Sequence, residues 1–110
     1  MRAPKPHPVA DEEAVFELAA RTFRVMSAPL RLRIIRHLCE GEKNVTELLE
    51  LVQTTQPNMS QHLNTLYRAG LVARRREGVQ IYYRVANEPV IALCRTLCAA
   101  IAAEAGLHHP

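Results

Sequence analysis

Apolar residues change their spacing at Gly70, and this change restricts the fold more than any other feature of the sequence. Before Gly70 they recur every three or four positions, which is typical of amphipathic helices. After it, segments 71–76 and 79–85 have a period of two and flank a Glu77–Gly78 pair, a pattern that predicts two strands joined by a hairpin turn. Helical spacing returns beyond Asn87. The sequence therefore predicts a mainly α fold, with four helices, a small β-hairpin and a final helix.

Capping and breaking residues mark the ends of the predicted helices. The predicted starts are Asp11, Pro29, Asn44, Pro57 and Asn87, and the predicted ends include Met26, Gly41, Gly70 and Glu104. Asn44 and Glu47 have the spacing of a capping box. We predict one domain over residues 11–105, between a flexible, proline-rich arm of residues 1–10 and a flexible tail of residues 106–110.

The fourth predicted helix carries many amide and hydroxyl side chains and little charge. Met59, Leu63 and Leu66 have the spacing of its buried face, so the short polar groups point outward, where they suit hydrogen bonds to base edges. The predicted DNA contacts on this helix are Gln56, Asn58, Ser60, Gln61, His62, Asn64 and Thr65. His62 is ambiguous, because it lies next to buried Leu63 and either packs there or touches a phosphate; it is not predicted as a metal ligand.

The hairpin that follows is basic. Arg74, Arg75 and Arg76 lie in a row on its first strand, and Arg84 lies on its second. Such a wing neutralises backbone phosphates, and we predict DNA contacts from the three consecutive arginines and from Gln80. A polar helix face alone is often only solvated, and three arginines alone often mark a soluble edge strand. Adjacent and in this order, they favour a winged helix-turn-helix that binds double-stranded DNA.

The stretches "SAPLRLRIIRHLCEGEKNVTELLE" and "QPNMSQHLNTLYRAGLVARRREGVQIYYRV" resemble the ArsR/SmtB family of bacterial repressors. The resemblance spans about residues 14 to 103. It implies a homodimer whose interface is made by the first and last helices, with Val15 and Leu18 on the first. It also implies an operator of imperfect inverted repeats that the protein leaves when an inducer binds it.

The last helix has two apolar faces. Val90, Leu93, Leu97 and Ala100 make one, and Ile91, Cys94, Cys98, Ile101 and Ala105 make the other. A helix with two apolar faces has two surfaces to pack against, its own core and a second body. We predict that the second face meets the partner subunit, with Ile91 and Ile101 in the dimer interface and the thiols on or beside it. A modest core of 110 residues also favours assembly.

Two inducer sites known in the family are missing from this chain. One uses a cysteine pair at the start of the third helix, where this chain has Asn44 and Val45. Another uses an Asp-x-His motif on the last helix, where this chain has Asn87 and Pro89. The resemblance therefore directs attention to other potential ligands.

Cys94 and Cys98 lie one helical turn apart and present their sulfur atoms on the same side. This geometry disfavours a disulfide between them and suits a soft ion. We predict that they bind As(III) or Sb(III) as an inducer, with Cys39 as the candidate third sulfur, and that no cofactor is needed for folding. Some members of the family bind metalloids through cysteines on the last helix.

Three alternatives remain open for these thiols. They are inert packing, because cysteine behaves as a small apolar residue; persulfide or oxidant sensing by Cys39 with Cys94 or Cys98; and no inducer at all, in a ligand-independent DNA-binding regulator. The persulfide reading is weakened because Arg36 stands where the thiol of the second helix is expected.

Other classes of protein lack support in the sequence. It has no Cys-x-x-Cys pair, no Ser-His-Asp order and no glycine-rich phosphate loop among its 4 glycines, so we predict no catalytic residues and no enzyme. No apolar run approaches a membrane span, and no signal-peptide core follows Met1. We therefore expect a cytoplasmic protein with no membrane partner and with reduced thiols.

Overall fold

The computed structural model describes residues 8–108. Its elements, in chain order, are α1 (Pro8–Met26), α2 (Pro29–Leu38), β1 (Lys43–Asn44), α3 (Val45–Leu51), α4 (Gln56–Arg68), β2 (Val72–Glu77), β3 (Gln80–Val85) and α5 (Glu88–Ala105). The predicted order of helices, hairpin and final helix is confirmed, and the fold is a winged helix-turn-helix. No helix within this part of the chain is long and apolar enough to cross a membrane.

Helix α1 starts earlier than predicted. It begins at Pro8, and Asp11 lies in its first turn rather than at its cap. Proline suits the first helical position because it has no N–H to leave unpaired, and an acidic residue in the first turn interacts well with the helix dipole. The prediction of a flexible arm over residues 1–10 is therefore wrong for residues 8–10, whereas residues 1–7 lie outside the described residues.

The predicted capping box is present. The Asn44 side-chain oxygen accepts a hydrogen bond from the Glu47 N–H at 2.8 Å, and the Glu47 carboxylate accepts one from the Asn44 N–H at 3.0 Å. Helix α4 is capped by Thr55, two residues before the predicted start at Pro57. Gly106 ends α5 in a left-handed conformation with φ 67°, which glycine adopts without steric cost. Of the predicted tail, residues 109 and 110 lie outside the described residues.

The strands form one antiparallel sheet in the order β1-β3-β2. Strand β1 was not predicted, because two residues are too few to show a period. Glu77 pairs with Gln80, so the turn is Gly78–Val79, one residue later than predicted. Gly78 has φ 63° at the first central position, as a type II′ hairpin turn requires.

The core is formed by one continuous cluster of buried side chains, which lies between the helices and the sheet. Its members are Met26, Ile34, Ile35, Leu38, Leu48, Val52, Met59, Leu63, Leu66, Leu71, Val72, Tyr83 and Ile91. The predicted buried stripe of α4 is confirmed, since Met59, Leu63 and Leu66 are fully buried. This packing fixes which side of α4 faces solvent.

The two faces of α5 are exchanged relative to the prediction. Ile91 is only 1% exposed and belongs to the core, so it cannot contact a partner subunit as predicted. Leu97 and Ile101 are 55% and 52% exposed and lie on the outer side. Val15 and Leu18 of α1 are also exposed. These last three predicted or neighbouring positions remain available to a second subunit, and the apolar stripe that includes Ile91 is the inward one.

Candidate DNA-binding surface and thiol cavity

The turn between α3 and α4 is held by side chains of its own residues. Asn58 donates a hydrogen bond from its side-chain nitrogen to the Thr54 hydroxyl at 2.7 Å. The Thr55 hydroxyl accepts one from the Asn58 backbone N–H at 3.2 Å. The side-chain donor of Asn58 is thus engaged in the turn, a role that the sequence did not predict, and it fixes the angle at which α4 leaves α3.

The remaining polar residues of α4 form a surface that we call the α4 polar face. It consists of Gln56, Ser60, Gln61, Asn64 and Thr65, all of which are exposed or half-exposed. Thr65 donates its hydroxyl hydrogen to the Gln61 carbonyl oxygen at 3.1 Å, which leaves the hydroxyl oxygen as an acceptor. Helices that enter the major groove present amide and hydroxyl groups of this kind to base edges.

His62 lies beside the α4 polar face and packs against α2. Its Nδ1 accepts a hydrogen bond from Nε of Arg31 at 3.0 Å. The same guanidinium donates from Nη1 to the carbonyl oxygen of Val25, also at 3.0 Å. Burial, and secondly the charge of Arg31, lower the pKa of His62, so the imidazole is neutral at neutral pH. The packing alternative for His62 is thereby confirmed, while its contact with DNA stays a prediction.

The wing arginines are not equivalent. The guanidinium of Arg74 lies 3.9 Å from the ring centroid of Tyr67, a cation–π contact that joins the wing to the end of α4. Nε of Arg76 donates to the Gly78 carbonyl oxygen at 3.1 Å and supports the turn. Gln80 is exposed at the start of β3. All three lie on the wing surface where the sequence placed them.

Arg75 is bound by two carboxylates. Its Nε lies 3.0 Å from both carboxylate oxygens of Glu42, its Nη2 donates to Glu42 at 2.6 Å, and its Nη1 donates to Glu77. It also lies over the Tyr82 ring at 4.7 Å. The hydrogen bond from Arg75 lowers the pKa of the Glu42 carboxyl. The charge of Arg75 is compensated in this way, which contradicts its predicted role as a phosphate contact.

The sequence analysis missed Glu42 because the contact crosses 33 positions and requires the unpredicted strand β1. Arg84 on β3 has a different environment. It is exposed and makes no ion pair within residues 8–108. Arg84 is therefore the wing cation with the most accessible charge, although its position on the second strand drew less attention than the row of three.

The three cysteines line one cavity of about 850 Å³ between α2 and α5, which we call the thiol cavity. Cys39 caps the end of α2, and Cys94 and Cys98 lie on α5; all three are half-buried free thiols. The charged side chains of its wall are Arg33, Arg36, Glu40 and Arg95. The structure therefore brings together the thiols that the sequence identified.

The thiols are poor nucleophiles in this state. Burial raises the pKa of the Cys39 thiol, although the charge of Arg95 partly offsets the effect. Burial, and secondly the neighbouring Cys98, raise the pKa of Cys94. Both groups are thus protonated at neutral pH, and a soft ion that binds them must displace protons.

A complete metal site is not assembled within one subunit. Among residues 8–108, no three His, Cys, Asp or Glu side chains lie close enough together to hold a metal ion. The predicted set of Cys39, Cys94 and Cys98 is thus wrong for a single subunit, because Cys39 and the α5 pair lie on opposite walls of the thiol cavity. The pair itself remains a prediction.

A second, almost wholly apolar groove of about 430 Å³ separates α1 from α5. Its principal lining residues are Thr22, Phe23, Met26, Leu93, Leu97 and Ile101. Cys94 and Cys98 line this groove as well as the thiol cavity. The cysteine pair therefore lies between the cavity that holds the thiols and the apolar surface of α1 and α5.

The fold, the α4 polar face and the wing define the chain as a winged helix-turn-helix protein of the regulatory type. Residues 28–74 match the family "Bacterial regulatory protein, arsR family". The chain is 38% identical over 85 residues to the transcriptional regulator KmtR of Mycobacterium tuberculosis, a match that covers 77% of this chain and 64% of KmtR. The chain thus spans less than two thirds of that relative.

Two further similarities concern chemistry and assembly. The chain is 34% identical over 86 residues to the "Probable mercury resistance operon repressor" of Streptomyces lividans, covering 76% of this chain and 69% of that protein. It also matches the homodimeric winged helix-turn-helix DNA-binding domain of Mb0332 from Mycobacterium bovis with a TM-score of 0.74 and 29% identity, covering 100% of this chain and 99% of that one. The chain belongs to the ArsR family, and the predicted resemblance is confirmed. Because this is a family of transcriptional regulators, the prediction that the chain is not an enzyme is confirmed too.

Proposed function

We propose that the chain is a transcriptional repressor that binds an inverted-repeat operator as a homodimer. Its inducer, arsenite or antimonite, binds Cys94 and Cys98 and releases it from DNA. The observation that carries the proposal is the position of this cysteine pair. It lines both the thiol cavity and the apolar groove beside α1, so a ligand on the pair lies next to the surface available to a partner.

The DNA-binding part of the proposal is supported by the α4 polar face. Gln61 is exposed and Asn64 is half-exposed, and both have amide groups that read purine edges in pairs of hydrogen bonds. We expect Gln61→Ala or Asn64→Ala to cost about 1–3 kcal/mol on the operator and to reduce the preference over random DNA. Binding would be measured on a duplex selected from a random pool, with the exposed change Glu104→Gln as control. Equal losses on selected and random duplexes would contradict base reading.

The homodimer is supported by exposed apolar residues on both α1 and α5, and by the homodimeric relative Mb0332. Two copies present two α4 polar faces related by a two-fold axis, which matches an operator of inverted repeats. A selected duplex without inverted symmetry, bound by one subunit, would contradict this arrangement.

The inducer is supported by thiol chemistry. Two sulfur ligands one helical turn apart suit a soft ion, and the relative from Streptomyces lividans is named for mercury resistance. Preformed protein–DNA complex should be titrated with arsenite, antimonite, mercury(II), cadmium, zinc and a persulfide donor. We expect arsenite and antimonite to release DNA, and Cys94→Ser or Cys98→Ser to abolish release without weakening DNA binding. Cys39→Ser is the matched control and should keep the response. Release of the Cys94→Ser, Cys98→Ser double variant at the wild-type concentration would make the pair mere packing.

Persulfide sensing is the second candidate function, because Cys39 faces the α5 thiols across the same cavity. A sulfane-sulfur donor would oxidise Cys39 and one α5 thiol and join them through sulfur, while the donor is reduced. Intact and peptide mass spectrometry of the released protein separates the two candidates. A covalent link from Cys39 together with release of DNA would favour persulfide sensing. Binding that ignores every reagent would favour a ligand-independent regulator.

A further inference from the structure

The guanidinium of Arg31 joins three helices. Arg31 lies in the first turn of α2 and donates to the backbone oxygen of Val25 near the end of α1. Its Nε donates to His62 in the middle of α4. Both hydrogen bonds are 3.0 Å long and partly buried, and together they use opposite sides of one rigid, planar group. The side chain thus has little freedom to move.

The contact determines which nitrogen of His62 carries the hydrogen. An imidazole nitrogen that accepts a hydrogen bond has no hydrogen of its own, so neutral His62 must be protonated at Nε2. A charged imidazole would turn an N–H toward the guanidinium N–H and place two cations together. Arg31 is the charged group that acts on His62, and its charge and burial both disfavour the charged imidazole. His62 is therefore a neutral donor with one fixed tautomer.

The Nε2 atom has no partner within residues 8–108, and it is not among the buried side-chain atoms that lack one. It is thus reached by solvent. His62 lies one residue from Gln61 and three from Thr65, both on the α4 polar face. A neutral N–H donor beside a helix in the major groove matches the phosphate oxygens that flank the groove.

We infer that Arg31 is a positioning residue for DNA binding: it fixes His62 as the Nε2–H tautomer, and His62 donates that hydrogen to a backbone phosphate. The inference rests on the proposed DNA-binding function. Arg31 acts through His62 and not by its own charge, because its N–H groups already have protein acceptors. The same guanidinium fixes the distance between the end of α1 and the middle of α4.

The first test is the tautomer itself, which needs no DNA. In ¹⁵N-labelled protein, two-bond ¹H–¹⁵N spectra should show His62 as one tautomer with hydrogen on Nε2. Arg31→Met removes the donor and keeps the apolar stem, and it should give a tautomer mixture and a higher His62 pKa. Arg31→Lys retains the charge but cannot reach both acceptors, so it should restore the tautomer only in part. A mixture in the unmodified protein would overturn the inference.

The second test is a double-mutant cycle on DNA. We expect Arg31→Met and His62→Ala each to weaken binding about 3- to 10-fold, as loss of one hydrogen bond does. The double variant should bind no more weakly than His62→Ala alone. Circular dichroism and urea unfolding check that each variant is folded. If Arg31→Met weakens binding equally in the His62→Ala background, Arg31 acts by another path and the inference fails.

The sequence dependence of the loss tests the phosphate assignment. A phosphate contact predicts the same fold-loss for His62→Ala on selected and random duplexes. A loss confined to the selected duplex would place the donor on a base and overturn the assignment. If the unmodified protein binds no duplex, the proposed function fails, whereas the tautomer spectra still decide the role of Arg31.

Discussion

Arginine residues that look interchangeable in the sequence have different partners in the folded chain. Arg31 bridges three helices, Arg74 stacks on Tyr67, and Arg75 lies between two carboxylates. Arg84 is the exposed member of the wing. The charge of each residue follows from its type, but its availability to DNA depends on acids and rings that are distant in the chain. A count of basic residues therefore overstates the number of phosphate contacts.

The first residue-scale prediction concerns the reactivity of the thiols. The raised pKa values of Cys39 and Cys94 leave a smaller thiolate fraction at pH 7 than in an unperturbed cysteine. We expect iodoacetamide to label both more slowly than it labels glutathione, with rates that still rise as the pH passes the ordinary value of 9.0. Peptide mass spectrometry gives the rate at each site. The urea-unfolded chain is the control, and equal rates in folded and unfolded protein would contradict the prediction.

At the scale of elements, the wing offers a prediction about salt. Each phosphate contact that is lost reduces the slope of log K against log salt concentration by about 1. We expect Arg84→Gln to reduce the slope by that amount. The charge-neutral pair Arg75→Gln with Glu42→Gln should leave the slope unchanged, because those two residues compensate one another. Filter binding at several salt concentrations measures both. A reduction of similar size in the neutral pair would show that Arg75 leaves its carboxylates to reach DNA.

The cap of α3 gives a second prediction at this scale. Asn44→Ala removes the acceptor of the Glu47 N–H and half of the capping box. We expect a loss of about 1 kcal/mol in the free energy of unfolding, measured by urea denaturation. Thr46→Ala, an exposed change in the same helical turn, is the control and should have a smaller effect. Equal effects of both variants would mean that the cap contributes little here.

Helices were predictable because their ends depend on local residues. Asn44, Gly70 and Asn87 act on the few backbone groups next to them, so capping and breaking signals identified α3, α4 and α5 within two residues. Strand β1 was not predictable, since its two residues are a strand only because β3 lies beside them. The Arg75–Glu42 pair depends on that strand and shares its unpredictability.

The orientation of α5 could not be read from spacing. Ile91 and Leu97 belong to different apolar faces of nearly equal strength, and spacing alone does not say which face is inward. Tertiary packing decides, and it places Ile91 against the core. The thiol cavity illustrates both cases: the pairing of Cys94 with Cys98 follows from helical periodicity, whereas their distance from Cys39 depends on how α2 and α5 pack.

At the scale of the whole molecule, the corrected faces of α5 change the expected effect of two variants. Ile101→Glu places a charge on the outer surface and should split the dimer and weaken operator binding, while the subunit stays folded. Ile91→Ala should instead cost about 2–5 kcal/mol of stability, because it leaves a cavity in the core. Sedimentation velocity and urea unfolding distinguish the two results. A dimer that tolerates Ile101→Glu and still binds DNA tightly would place the interface elsewhere.

The placement of α2 has a mechanical consequence. Its 10 residues form a rod about 15 Å long, with Arg31 in its first turn and Cys39 at its far end. A tilt of about 5° about one end displaces the other by about 1 Å, enough to disrupt a hydrogen bond of the length that Arg31 makes with His62. The helix thus works as a lever arm, and a ligand in the thiol cavity needs only a small rotation of this rod to change the donor that α4 offers to DNA.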